Sequence, residues 1–194
     1  MSPLIDSLYA IVDAEVADRP LALAFKALNA GCALLQLRAK RLDDVGFLKI
    51  AKLMRSACAR AEVPFVINDR ADIAALVRAD GLHLGQQDLS IADARLVVGE
   101  MPIGVSTHDL EQAKRADREG ADLIAFGPIF ETQTKENPDP VVGLADLERI
   151  CRAVSRPVVA IGGITPENAD AALRAGARYI AVISALPRFL AERS

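Results

Sequence analysis

Leu8-Tyr9-Ala10-Ile11-Val12-Asp13-Ala14-Glu15-Val16 is the stretch on which the choice of fold turns. Its first half is a short apolar run of the kind that forms a buried strand. An open, doubly wound sheet that binds dinucleotides needs a glycine-rich turn directly after such a strand. Here Asp13-Ala14-Glu15-Val16 follows, with no glycine. Similar runs rich in Val, Ile and Leu recur at 33–38, 64–68, 81–84, 103–106, 123–126, 158–161 and 179–182, after the first at 8–13. Segments with helical spacing fill the intervals at 20–29, 43–61, 71–77, 91–98, 110–119, 144–154, 166–175 and 186–192. Thr165-Pro166 reads as an N-cap followed by proline at the first helical position. The openings of the strands alternate. Ala30-Gly31-Cys32, Ala79-Asp80-Gly81, Gly120-Ala121-Asp122 and Gly176-Ala177-Arg178 precede four of them, and Pro64, Pro102 and Pro157 open three others. Eight βα units in 194 residues is about 24 per unit (194/8), compact for a (β/α)8 TIM barrel. The expected fold is therefore a single α/β barrel domain over residues 1–194, with functional groups at the C-terminal ends of the strands.

Composition narrows the function. A chain of this length buries roughly 70% of its unfolded surface and needs no disulfide or structural metal. Apolar residues make up 52% and charged residues 25%, which excludes a disordered chain. Acids outnumber bases 26 to 23, so no overall basic field exists to hold nucleic acid. Aromatics are 4% with no Trp, which argues against a base-stacking platform. No basic region followed by a long apolar stretch opens the chain, and no run of 18 apolar residues occurs. Cys32, Cys58 and Cys151 are far apart, and only two histidines exist. These features imply reduced thiols, a cytoplasmic protein, no zinc site and no membrane contact.

The unusual polar residues gather where a barrel places its chemistry. Gln36, Arg38 and Lys40 alternate after the second strand, and spacing of two puts all three on one face. Facing inward, they bring two cations and an amide to the barrel mouth, suited to an anionic oxygen cluster. The plainer alternative, solvated charges on an edge strand, has no place in a closed barrel. Asn68-Asp69-Arg70 closes the third strand, and His83, Gln86 and Asp88 follow the fourth. Adjacent strands lie about 4.8 Å apart, so Asp69 and Asp88 could reach one hard cation. With Arg38 and Lys40 beside them, the group suits Mg2+ and a diphosphate. The alternative for Asp69 is a helix N-cap before Ala71. Gly162-Gly163 and Ile183-Ser184 follow the last two strands, where barrels often bind phosphate through backbone N–H groups. A plain tight turn is the alternative. Thr132-Gln133-Thr134-Lys135 lies in the long sixth loop, and Lys135 is one of six lysines in the chain. His83, apolar on both sides, reads as a hydrogen-bonded structural histidine, and His108 as a cap or a solvent-facing side chain.

Gln36-Leu37-Arg38-Ala39-Lys40, Ile67-Asn68-Asp69-Arg70, His83-Leu84-Gly85-Gln86-Gln87-Asp88, Gly104-Val105-Ser106, Gly127-Pro128-Ile129-Phe130 with Thr132, Thr134 and Lys135, and Ile161-Gly162-Gly163-Ile164 together resemble the thiamine phosphate synthase family. The resemblance runs from Tyr9 to Ser184, and the ordered set is specific where the Gly-Gly element alone is not. It implies a transferase of thiamine biosynthesis that joins a hydroxymethylpyrimidine diphosphate to a thiazole phosphate and releases diphosphate. It implies that Gln36, Arg38, Lys40, Asn68, Ser106 and Lys135 bind the pyrimidine diphosphate, with Ser106, Lys135 and Arg38 closest to the chemistry. It further implies Mg2+ on Asp69 and Asp88, and the thiazole phosphate on Thr132, Thr134, Gly163, Ile183 and Ser184. The partners are phosphorylated small molecules, and no oligomeric state follows. Glu131 stands where the family more often has Pro. The chain is short for the family, and 136–142 is unusual. Two rivals share the barrel. A thiazole tautomerase would use His108 as acid and base, and a silent binder would hold thiazole or thiamine phosphate without releasing diphosphate. The diphosphate and metal set speaks for the synthase.

Overall fold

Eight apolar runs become eight parallel strands because each is too short to fill a helix and is followed by a helix that returns the chain to the same edge. A computed structural model describes residues 4–132 and 140–191. A short 3-10 turn, Ile5–Ser7, leads into β1 (Leu8–Asp13), α1 (Pro20–Ala30), β2 (Leu34–Arg38), α2 (Asp44–Ala61), β3 (Phe65–Asn68), α3 (Ala71–Val77), β4 (Gly81–Leu84) and α4 (Ile91–Val98). There follow β5 (Ile103–Thr107), α5 (Leu110–Arg118), β6 (Leu123–Phe126), α6 (Gly143–Ala153), β7 (Val158–Ile161), α7 (Ala169–Arg174), β8 (Tyr179–Val182) and α8 (Leu186–Ala191). Each strand pairs in parallel with the next, and β8 closes on β1 with Leu8 opposite Ile180. The fold is a (β/α)8 barrel. No helix among the described residues is long and apolar enough to cross a membrane.

Alternation along the strands builds two cores. Outward residues such as Val12, Leu35, Leu37, Phe65, Ile67, Leu82 and Ile124 pack under the helices. Inward residues Tyr9, Ile11, Val66, Ala125, Val159 and Ala181 fill the barrel itself. The polar side chains of Asp13, Gln36, Asn68 and His83 are buried with them. The interior is thus apolar below and polar toward the C-terminal mouth.

The alternating strand openings have a structural reason. Asp80, ahead of β4, accepts the Phe65 N–H at 2.9 Å, the first donor of β3 after Pro64. Asp122, ahead of β6, accepts the Ile103 N–H at 2.9 Å, the first donor of β5 after Pro102. Each Asp also pairs with an arginine, Arg55 at 3.2 Å and Arg95 at 2.8 Å. Among the caps, Asp43, Ser90 and Asp109 accept from the backbone of Gly46, Asp93 and Gln112.

One helix start departs from expectation. α7 begins at Ala169, not at Pro166. Asn168 takes over the turn: its Oδ1 accepts the Thr165 N–H at 2.8 Å, and its Nδ2 donates to the Gly163 carbonyl at 2.9 Å. The side chain of Asn168 thereby ties the loop after β7 into a closed turn before the helix can start.

Candidate active site

The mouth has two halves. Over β1 to β4 lies a charged cluster. Asp13 closes β1 opposite Arg38, which closes β2. The Arg38 guanidinium forms an ion pair with the Asp13 carboxylate, whose side chain is 1% exposed. The other Asp13 oxygen accepts the Glu15 N–H at 2.9 Å. Lys40 Nζ lies 3.3 Å from Asp69 Oδ2. Asp88 Oδ2 accepts the Gly85 N–H at 2.7 Å. Gln36 is buried below Arg38, and its Nε2 donates to the Tyr9 hydroxyl at 2.7 Å. Asn68 is buried at the end of β3, opposite His83.

Asp69 is not a cap. Arg70 occupies the N-cap position of α3, which receives no side-chain cap. The Asp69 backbone takes a left-handed conformation, φ 62°, uncommon for a residue with a Cβ. Its carboxyl is pushed up to about 6, first by burial and next by its hydrogen bond to and repulsion from Asp88, against the pull of Lys40. Two crowded carboxyls of this kind are what a hard cation relieves. The charge balance agrees. Arg38 and Lys40 do stand at the mouth, and each engages a carboxylate there. Three carboxylates (Asp13, Asp69, Asp88) stand against two cations (Arg38, Lys40), so a diphosphate would need added positive charge. Asp69 and Asp88 are therefore a fitting pair for Mg2+, which binds one or two carboxylates and completes its shell with water and phosphate oxygens.

Over β5 to β8 opens a cavity of about 350 Å³. Ser106, His108, Thr132, Gly163, Ile183 and Ser184 line it, and Arg38 reaches it from the charged half. Thr134 and Lys135 lie outside the described residues. Glu131 also lines the cavity. Asp109, not His108, caps α5; His108 is half-buried at the edge of the cavity, and its Nδ1 donates to the Gly127 carbonyl at 2.7 Å. Ser106 sits where the halves meet. Its Oγ is 2.8 Å from His83 Nε2, and its carbonyl accepts from Gln86 Nε2 at 2.7 Å. Arg115 holds the far end of Gln86 at 2.8 Å. Burial keeps His83 neutral, pushing its pKa down to about 4.

Glycines weld the loops after β6 and β7. A Cβ on Gly127 would lie 2.1 Å from the Ile161 carbonyl oxygen, and one on Gly162 2.5 Å from Pro128 Cβ. A Cβ on Gly163 would lie 2.4 Å from the Glu131 carbonyl oxygen. Gly162 and Gly163 also have φ of 93° and 66°, which favours glycine. The expected reason for Gly163, close approach to a phosphate, thus has a second cause inside the protein.

The model of the family described as thiamine monophosphate synthase matches residues 8–186. The chain belongs to the thiamine monophosphate synthase family. It is 46% identical over 165 residues to a thiamine-phosphate synthase of Methanocella arvoryzae, covering 84% of this chain and 78% of that one. A thiamine-phosphate synthase of Koribacter versatilis is 45% identical over 186 residues, covering 92% and 88%. The solved thiamine phosphate pyrophosphorylase from Pyrococcus furiosus superposes with a TM-score of 0.85 at 32% identity, covering 97% of each chain. An N-acetylmannosamine-6-phosphate 2-epimerase from Clostridium perfringens, 17% identical with a TM-score of 0.70, shares the fold alone.

Two partners in this member of the thiamine monophosphate synthase family have little or no signature in the sequence. Asp13 reads as the end of a strand, and an acid closing an otherwise apolar run is the one signal of its role. The contact of His83 with Ser106 left no local signal, because the residues are 23 positions apart on separate strands.

Proposed function

We propose that this chain is a thiamine-phosphate synthase, a transferase that joins 4-amino-2-methyl-5-(diphosphooxymethyl)pyrimidine to a thiazole phosphate and releases diphosphate. The observation that carries the reading is the division of one barrel mouth into a charged cluster and a glycine-lined cavity, with Arg38 and Ser106 at their boundary. Gln36, Arg38, Lys40, Asn68, Ser106 and Lys135 bind the pyrimidine diphosphate. Thr132, Thr134, Gly163, Ile183 and Ser184 bind the thiazole phosphate. Asp69 and Asp88 would hold Mg2+, which would supply positive charge for a diphosphate.

The methylene C–O bond breaks with its electron pair passing to diphosphate. The pyrimidine ring stabilises the cation left behind, and the thiazole nitrogen lone pair forms the new C–N bond. No protein nucleophile is consumed. The protein contributes by holding the reacting atoms together and by meeting charge on the departing oxygens. Arg38 and Ser106 do this from the boundary, and Lys135 from the sixth loop.

The test is to incubate both phosphorylated substrates with the protein and Mg2+ and assay thiamine phosphate and diphosphate together. Equimolar formation of both is expected, and EDTA should suppress it. Binding of either substrate without diphosphate release would overturn the synthase reading in favour of a silent binder. A tautomerase is the second reading, favoured by one observation: His108 borders the cavity with its ring orientation set by the Gly127 carbonyl.

A further inference from the structure

We infer that His83 is a positioning residue that donates its Nε2 hydrogen to Ser106 Oγ and so commits the Ser106 hydroxyl to act as a donor toward a substrate oxygen. The inference rests on the synthase reading for its kinetic part and on geometry alone for its tautomer.

His83 lies inside the barrel on β4, paired in register with Gly104 of β5. Its two ring nitrogens have different surroundings. Nε2 meets Ser106 Oγ at 2.8 Å. Nδ1 is buried and has no hydrogen-bond partner among the described residues. What faces Nδ1 is the α-carbon of Gly104, where a Cβ would come within 2.8 Å of the nitrogen. Any other residue at 104 would push the ring away, so the glycine leaves room for the imidazole.

A neutral imidazole carries one N–H. Placed on Nδ1, that hydrogen would be a buried donor set against a C–H of Gly104, with no acceptor and two weakly positive hydrogens face to face. Nε2 would then accept the hydroxyl hydrogen of Ser106 and leave it nothing to donate. Placed on Nε2, the hydrogen goes to Ser106 Oγ, and the lone pair on Nδ1 faces the C–H, a weak but favourable contact. The second arrangement satisfies more of the buried polar atoms. It leaves the Ser106 proton directed into the mouth, where an oxygen acceptor must take it.

A hydroxyl at this place has two conceivable partners: an oxygen of the departing diphosphate, as donor, or the amine of the pyrimidine, as acceptor. The His83 contact occupies one of the two Oγ lone pairs and leaves the hydroxyl hydrogen free, which favours the first. The Gln86 amide on the Ser106 carbonyl, itself held by Arg115, fixes the main chain that presents the hydroxyl. The hydrogen bond then strengthens as charge develops on the leaving oxygen, so its effect falls on kcat.

Two measurements test this. In 15N-labelled protein near pH 7, long-range 1H–15N correlations should show His83 as the Nε2–H tautomer, with His83→Gln identifying its signals by their loss. An Nδ1–H tautomer overturns the inference whether or not the protein makes thiamine phosphate. Kinetically, His83→Leu should lower kcat roughly 3- to 10-fold with little change in KM, the effect of one lost neutral hydrogen bond to the hydroxyl that meets the leaving oxygen. His83→Gln, whose amide can still donate to Oγ, should recover most of it. In a Ser106→Ala background, His83→Leu should change kcat less than about twofold. Losses that multiply independently would assign His83 a merely structural role. If His83→Leu does not fold, the glutamine variant and the tautomer still decide. Failure of the wild type to form thiamine phosphate would sink the synthase reading and leave the tautomer result standing.

Discussion

Ser106 and His108 stand two residues apart, and they separate the synthase from the tautomerase. Dissociative alkyl transfer needs a donor to the leaving oxygens and no strong base. Ser106→Ala should therefore lower kcat for thiamine phosphate formation roughly 10- to 150-fold, with a smaller rise in KM. His108→Ala should have much less effect. A tautomerase reverses the order, because loss of proton transfer costs about 10²- to 10⁴-fold. Steady-state assays of both variants decide it, and an inactive His108 variant beside a normal Ser106 variant would end the synthase mechanism. Arg38 needs a different design, because it also neutralises buried Asp13. Arg38→Ala should lower stability by about 3 kcal/mol, leaving a carboxylate unpaired. Adding Asp13→Asn should restore part of that stability but not the affinity for the pyrimidine diphosphate. Urea denaturation and calorimetric titration, run on both variants, read the two effects apart. Thiazole phosphate affinity falling as far as pyrimidine diphosphate affinity would contradict two separate halves.

At the scale of elements, strand positions were legible because each strand is a short apolar run between a helix and a polar loop. All eight appear within a residue of the expected bounds. The start of α7 was not legible, because Thr165-Pro166 is an adequate cap by local rules while Asn168 wins through a bond to Gly163 across the loop. Gln36, Arg38 and Asp69 could be placed at the mouth by alternation and strand ends. Their pairing with Tyr9, Asp13 and Asp88 depends on neighbouring strands or loops and has no local pattern. The alternation of proline and small residues was visible, but its purpose was not. Asp122 serves both the Ile103 N–H and Arg95, which in turn donates to the Met101 carbonyl. Asp122→Ala should cost about 1–3 kcal/mol and leave kcat per folded molecule unchanged, since the contact lies at the end of the barrel away from the mouth. Chemical denaturation beside an active-site titration checks both halves of that expectation.

For the whole molecule, buried polar groups couple folding to protons in opposite directions. His83 binds a proton near pH 6.5 when unfolded and only near 4 when folded. Between those values the unfolded chain binds more protons, so this group's stabilisation is complete above about pH 6.5 and is lost as pH falls. The loss amounts to about 3 kcal/mol by pH 4. Asp69 works in the opposite sense: folded it titrates near 6 and unfolded near 3.8, so folding takes up a proton there between those values. The two largely offset each other between about pH 4 and 6. Replacing His83 by Gln removes one side. In metal-free buffer, the stability of the wild type relative to His83→Gln should fall by roughly 3 kcal/mol from pH 7 to 4. A difference that stays constant across urea titrations in that range would refute the buried neutral imidazole.

The contacts of Gly127, Gly162 and Gly163 have a consequence for exchange between homologous proteins. Each would collide with the neighbouring loop if it carried a side chain, and the obstacles are the carbonyls of Ile161 and Glu131 and the ring of Pro128. Main-chain atoms cannot rotate aside as a side chain can. The two loops therefore form one transplantable part. A chimaera that imports residues 127–131 alone from a distant relative should give little soluble protein. One that imports 127–131 together with 161–163 should fold, because the interlocking surfaces arrive as a matched pair.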